Sequence, residues 1–164
     1  MDRLGTMDIW LLRHAAAEDR SASGRDADRE LTPEGLRRAE RVARGLAALE
    51  PGIELVLTSP YRRARQTAEL AARALGLERA LRETRALEPH RDPAEILEEL
   101  AAGEGRPVLL VGHEPHLGGL LGRLVGGEGL ALPLKKAAVA WVEREGRAGM
   151  LKALLPARVL ERIR

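Results

Sequence analysis

Short apolar runs of strand length alternate along this chain with longer stretches of helical periodicity, and that alternation restricts the fold more than any other feature. The first run, Met7 to Arg13 (MDIWLLR), reads as a buried strand and stops at a polar, loop-like stretch from Glu18 to Glu30. Thr32-Pro33-Glu34 then offers an N-cap with proline at the first helical position, and Leu36, Ala39, Val42, Ala43, Leu46 and Leu49 follow at helical spacing until Pro51-Gly52. Ile53 to Thr58 is strand-like again. Ser59-Pro60 reads as the cap of a second helix, which carries Ala64, Ala68, Ala71 and Leu75 and ends at Gly76. Asp92-Pro93 opens a third helix through Leu100, and Pro107 to Gly112 (PVLLVG) is the most apolar short run, suited to a central strand. Pro115 opens a fourth helix that Gly126-Gly127 closes, and Ala137 to Glu143 with Met150 to Leu155 predict a closing hairpin around Glu145-Gly146-Arg147. The expected fold is therefore α/β: a central, mostly parallel sheet covered by helices on both faces, an α/β/α sandwich of three layers.

A chain of 164 residues with 45% hydrophobic and 32% charged residues has the size and make-up of one globular domain. We expect that domain to span residues 7–164, with residues 1–6 as a short N-terminal extension and Met7 as a possible start. No apolar run reaches the roughly 18 residues that cross a bilayer, and residues 1–6 lack the apolar centre of a signal peptide, so the expected location is the cytoplasm, without a membrane partner. Cysteine is absent, which excludes a disulfide scaffold, a thiolate metal site and a cysteine nucleophile. The 27 basic residues are spread out against 25 acidic ones, and aromatics are 2% of the chain. Without a basic run or a stacking platform, a nucleic-acid partner is not expected.

Open α/β sheets bind ligands where their strands end, so the polar residues just after each apolar run carry the functional signal. The first strand delivers Arg13-His14, the second Ser59-Pro60-Tyr61-Arg62-Arg63, and the central one Gly112-His113-Glu114. Converging arginines, imidazoles and helix N-termini suit a dianionic phosphoryl group, because a guanidinium fork matches its oxygens two at a time. Each piece alone has a plainer explanation. Arg-His at a strand end is often only a polar cap, Arg62 and Arg65 suit a solvated helix face, and Gly-His after a buried strand can be a turn. By the same standard His90 and His116 read as surface or supporting groups. The order of the pieces is what raises the phosphoryl reading above these.

At those residues the sequence resembles the histidine phosphatase superfamily, the phosphoglycerate-mutase-like fold. The resemblance rests on L-L-R-H-A (Leu11 to Ala15), L-T-P-E-G (Leu31 to Gly35), T-S-P-Y-R-R-A-R-Q-T-A (Thr58 to Ala68) and V-G-H-E-P (Val111 to Pro115), in family order. The short chain and the stretch Gly112 to Leu117 look most like the SixA-type phosphohistidine phosphatases. The resemblance implies His14 as the nucleophile that becomes phosphorylated, with Arg13, Arg63 and His113 holding the phosphoryl oxygens and no metal or other cofactor. It also implies a phosphohistidine-bearing protein as substrate. The family pattern has Gly where Ala15 stands. A general acid for ester substrates has no strong motif here, and Glu88 in A-L-E-P-H-R-D-P (Ala86 to Pro93) is the candidate. Two alternatives remain at this point: a phosphomonoesterase acting on a small phosphorylated metabolite, and a phosphate-binding module without catalysis. Oligomeric state is not legible in the sequence.

Overall fold

The computed structural model describes residues 5–164, so the expectation of an N-terminal extension lies, for residues 1–4, outside the described residues. Six strands form one sheet in the order β3-β2-β4-β1-β5-β6. They are β1 (Met7–Arg13), β2 (Leu55–Thr58), β3 (Leu81–Glu83), β4 (Val108–Gly112), β5 (Val139–Glu145) and β6 (Ala148–Leu155). Strands β3, β2, β4 and β1 run parallel, while β5 pairs antiparallel with both β1 and β6. The sheet is thus mixed, its parallel half built from crossovers and its other edge closed by the expected hairpin.

Alternation along the strands sends successive side chains into two cores. From β1, Trp10 and Leu12 pack with α1 (Pro33–Ala48), α2 (Arg62–Leu75) and the short α5 (Ala157–Leu160). Ile9 and Leu11 face the opposite side, under α3 (Pro93–Ala102) and α4 (His116–Val125). Because helices cover both faces, β4 is apolar at every position and wholly buried. Helix starts follow their local chemistry. Thr32 Oγ accepts from Gly35 N at 3.0 Å and Asp92 Oδ1 from Ala94 N at 2.9 Å, each followed by a proline in the first turn. Gly76, at φ +70°, closes α2 in the left-handed conformation.

Leu110 sits in β4 with no exposed surface, between Leu11 of β1 and Leu57 of β2. Leu110→Ala is expected to destabilise the fold by about 2–5 kcal/mol, through lost burial and the cavity left behind. Urea unfolding should show a lower midpoint at unchanged slope. An unaltered midpoint would mean that the central strand is not packed as described.

Candidate active site

Register brings the ends of three strands together. Arg13 is level with Gly112 across the β1–β4 ladder and Thr58 with Val111 across β2–β4, so His14, Ser59 and His113 emerge side by side. Backbone bonds continue the ladders into the site: His14 N donates to Gly112 O and Ser59 N to Val111 O, both at 3.0 Å. His14 is 6% exposed and His113 1%, with their ring centroids 5.1 Å apart.

The His14 imidazole has one possible tautomer in this setting. Its Nδ1 lies 2.7 Å from the carbonyl oxygen of Ala15, which can only accept, so Nδ1 carries the proton and Nε2 the lone pair. Arg63 Nε–H points at that lone pair from 3.4 Å. Burial, then the positive charges of Arg63, Arg13 and Lys136, push the His14 pKa down to about 4, against the partial support of the Ala15 carbonyl. The ring is therefore neutral at neutral pH, with the Nε2 lone pair unprotonated. Ala15 keeps out of the left-handed region, so the family's glycine is not needed for the backbone conformation here.

Arg63 occupies the first turn of α2 and Arg13 the end of β1. Arg13 Nη1 donates to Leu134 O at 3.0 Å, and its Nε is buried with no protein partner. Glu114 organises that side: its carboxylate accepts from Leu134 N at 2.7 Å and from Gly118 N at 3.1 Å, and its charge supports Arg13. Burial pulls both guanidiniums below their ordinary value. His113 Nε2 lies 2.8 Å from Ser59 Oγ, which also accepts from Tyr61 N at 3.2 Å. His113 Nδ1 is buried with no protein partner. Burial, then the neighbouring His14 and Arg63, push His113 down to about 2.

The remaining motif residues build the cradle of this group. Thr67 Oγ1 accepts from Ala15 N at 3.2 Å and donates to Arg63 O at 2.8 Å, tying the residue after His14 to the turn of α2 that carries Arg63. Gly35 lets α1 approach the chain after His14, because a Cβ there would stand 2.0 Å from Ala16 O. Ala16 O also accepts from Thr32 N at 3.0 Å.

Arg13, His14, Arg63 and His113 are thus brought together, and Glu88 forms ion pairs with arginines of its own segment. Its carboxylate meets Arg85 at 3.2 Å and Arg91 at 3.6 Å. Two readings change. The second helix begins at Arg62, and Ser59 serves His113 rather than capping that helix, because β2 carries Ser59 into the site as a fully buried residue. His116 is no surface group: it is 3% exposed in the first turn of α4, and burial pushes its imidazole down. His90 is exposed. Asp26 was missed altogether, although its carboxylate reaches Arg63 Nη2 at 3.2 Å. Among the described residues no three His, Asp or Glu side chains gather as metal ligands would. No helix among them is long and apolar enough to cross a membrane.

The motifs and the fold have counterparts in known proteins. The sequence model of the histidine phosphatase superfamily (branch 1) matches residues 9–88. An uncharacterized protein of Picosynechococcus sp. is 39% identical over 138 residues, covering 81% of this chain and 82% of its own. Phosphohistidine phosphatase SixA of Escherichia coli is 34% identical over 125 residues, 74% of this chain and 76% of its own. The structure of the protein histidine phosphatase SixA complexed with tungstate superposes with a TM-score of 0.83 at 28% identity, covering 93% of this chain and 98% of that one. With the motifs in order, the strand ends in register and relatives matched over most of their length, the chain is a phosphatase of the histidine phosphatase superfamily, in its SixA-type branch.

Proposed function

We propose that the protein hydrolyses phosphohistidine in a partner protein through a phosphorylated His14. The observation that carries this reading is the His14 ring itself, with Nδ1–H fixed on Ala15 O at 2.7 Å and the Nε2 lone pair directed toward the Arg63 guanidinium. In the first step Nε2 attacks phosphorus, the phosphorus–nitrogen bond of the substrate breaks, and its electron pair stays on the leaving imidazole, which departs neutral because its other ring nitrogen carries a proton. In the second, water attacks phospho-His14, inorganic phosphate departs, and the electron pair returns to Nε2. Arg13 and Arg63 neutralise the transferred group and His113 donates to it, so the work is positioning and charge stabilisation. The scheme asks for no metal ion.

Two observations favour a phosphorus–nitrogen bond over an ester. An alkoxide leaving group needs a proton, and Glu88 is tied to Arg85 and Arg91. Imidazole leaves with less help. The relative named phosphohistidine phosphatase, SixA of Escherichia coli, points the same way. Phosphate release from a phosphohistidine-bearing protein and from p-nitrophenyl phosphate, measured side by side in EDTA, tests this. We expect kcat/KM to favour the phosphohistidine by at least about tenfold, or roughly 1.4 kcal/mol, with EDTA without effect. Preference for the ester would overturn the substrate assignment in favour of a small phosphorylated metabolite, and loss of activity in EDTA would overturn the metal-free scheme.

A further inference from the structure

The Arg63 guanidinium lies buried beside the nucleophile, its side chain 6% exposed, and one residue outside its own helix governs how it lies. Asp26, in a one-turn 3-10 segment (Asp26–Asp28) of the polar stretch after β1, accepts from Arg63 Nη1 through its backbone carbonyl at 2.9 Å. Its carboxylate accepts from Nη2 at 3.2 Å. Both terminal nitrogens are therefore held from the end of the guanidinium, while Nε–H on the side edge faces His14 Nε2. Each terminal nitrogen keeps a second N–H.

Asp26 is itself held. Arg29 Nη1 donates to its Oδ1 at 2.8 Å, and Arg29 Nε donates to Glu18 O at 2.6 Å. Burial alone would raise the Asp26 carboxyl, but the hydrogen bonds and charges of Arg29 and Arg63 outweigh it and keep the group ionised at neutral pH. An ionised, doubly paired carboxylate is a poor proton donor, which argues against a role as general acid. It is well suited to hold a cation that must not swing.

We propose that Asp26 is a positioning residue for phosphoryl transfer: it clamps the end of the Arg63 guanidinium so that the Nε/Nη2 edge is presented to the phosphoryl group at His14. The inference rests on the site reading above, in which Arg63 binds that group. It makes the conformation of the segment between β1 and α1 a condition of catalysis, since Asp26 reaches Arg63 only when that segment is folded onto α2. Misplacing a binding group by about an ångström costs on the order of 100-fold, which sets the scale of the effect.

The test is a double-mutant cycle of Asp26→Ala and Arg63→Ala, read as kcat and KM on a phosphohistidine-bearing protein and as affinity for inorganic phosphate by calorimetry. Asp26→Ala should lower kcat/KM by about 10- to 100-fold and weaken phosphate binding. In the Arg63→Ala background the same change should have less than about twofold further effect, because its target is gone. Asp26→Asn, which keeps the backbone carbonyl and one side-chain oxygen, should recover part of the loss and replaces the alanine variant if that one does not fold. Independent effects that multiply would overturn the proposal. So would phosphate binding that tightens when Asp26 is removed, the mark of a carboxylate that merely repels the anion. The phosphate arm needs no turnover, so it decides the role of Asp26 even if the phosphohistidine assignment fails.

Discussion

Replacing His14 with alanine is expected to reduce turnover by on the order of 10⁴-fold or more, equivalent to about 5.5 kcal/mol of transition-state stabilisation. The size follows from what the variant lacks. Arg13, Arg63 and His113 would still surround the phosphoryl group, but no atom would remain to form the covalent intermediate, and water would have to attack the substrate directly. Phosphate binding should survive, because the guanidiniums hold the charge and the imidazole does not. The fold should survive as well, since the residue removed is a neutral ring at the end of a strand and no core hydrophobe. The discriminating measurement is single-turnover transfer from radiolabelled phosphohistidine protein. The wild-type chain should acquire acid-labile label that is then lost to water, and the variant should acquire none. Near-wild-type turnover in the variant would remove His14 from the mechanism.

Expectation and structure agree where the determinants are local in sequence and part where they are not. Helix α1 was legible because Thr32, Pro33 and the apolar spacing from Leu36 to Leu46 act within the helix itself. The convergence of His14 and His113 was legible because both follow apolar runs, and parallel strands in register place their ends together. Strand β3 was not legible. Of its three residues two are exposed, and it is a strand only because Val56 to Thr58 pair with it. Ser59 shows the same limit at the site. Beside Pro60 its hydroxyl looks like a helix cap, and only the neighbouring strand shows that it faces His113. Asp26 lies in a stretch without periodicity, so no pattern marked it. The one available signal was a demand: an arginine buried next to His14 needs a counter-charge, and the polar stretch after β1 was a supply of carboxylates.

Acid should unfold this protein more readily than its carboxylates alone would require. Histidines buried neutral bind a proton in the unfolded chain near pH 6.5 but in the folded chain only near pH 4 for His14 and near 2 for His113. Their folded values are depressed, so between pH 6.5 and 4 the unfolded state binds more protons and stability falls as pH falls. The slope is about 1.4 kcal/mol per pH unit for each ring, which makes the fold about 4 kcal/mol less stable at pH 5 than at pH 7. His116, depressed by burial in the same direction, adds to this loss. Asp26, Asp28 and Asp92 have carboxyls held below the ordinary range, so their stabilisation is lost only at lower pH and leaves the window to the histidines. Urea unfolding at pH 7 and pH 5 measures the difference, and His14→Ala should reduce the slope by about one proton. Equal stability at the two values would mean that these rings are not held neutral by burial. The same depression keeps Nε2 of His14 unprotonated at pH 5, where an ordinary imidazole is charged, so the proposed nucleophile stays available down to the pH at which the fold that holds it gives way.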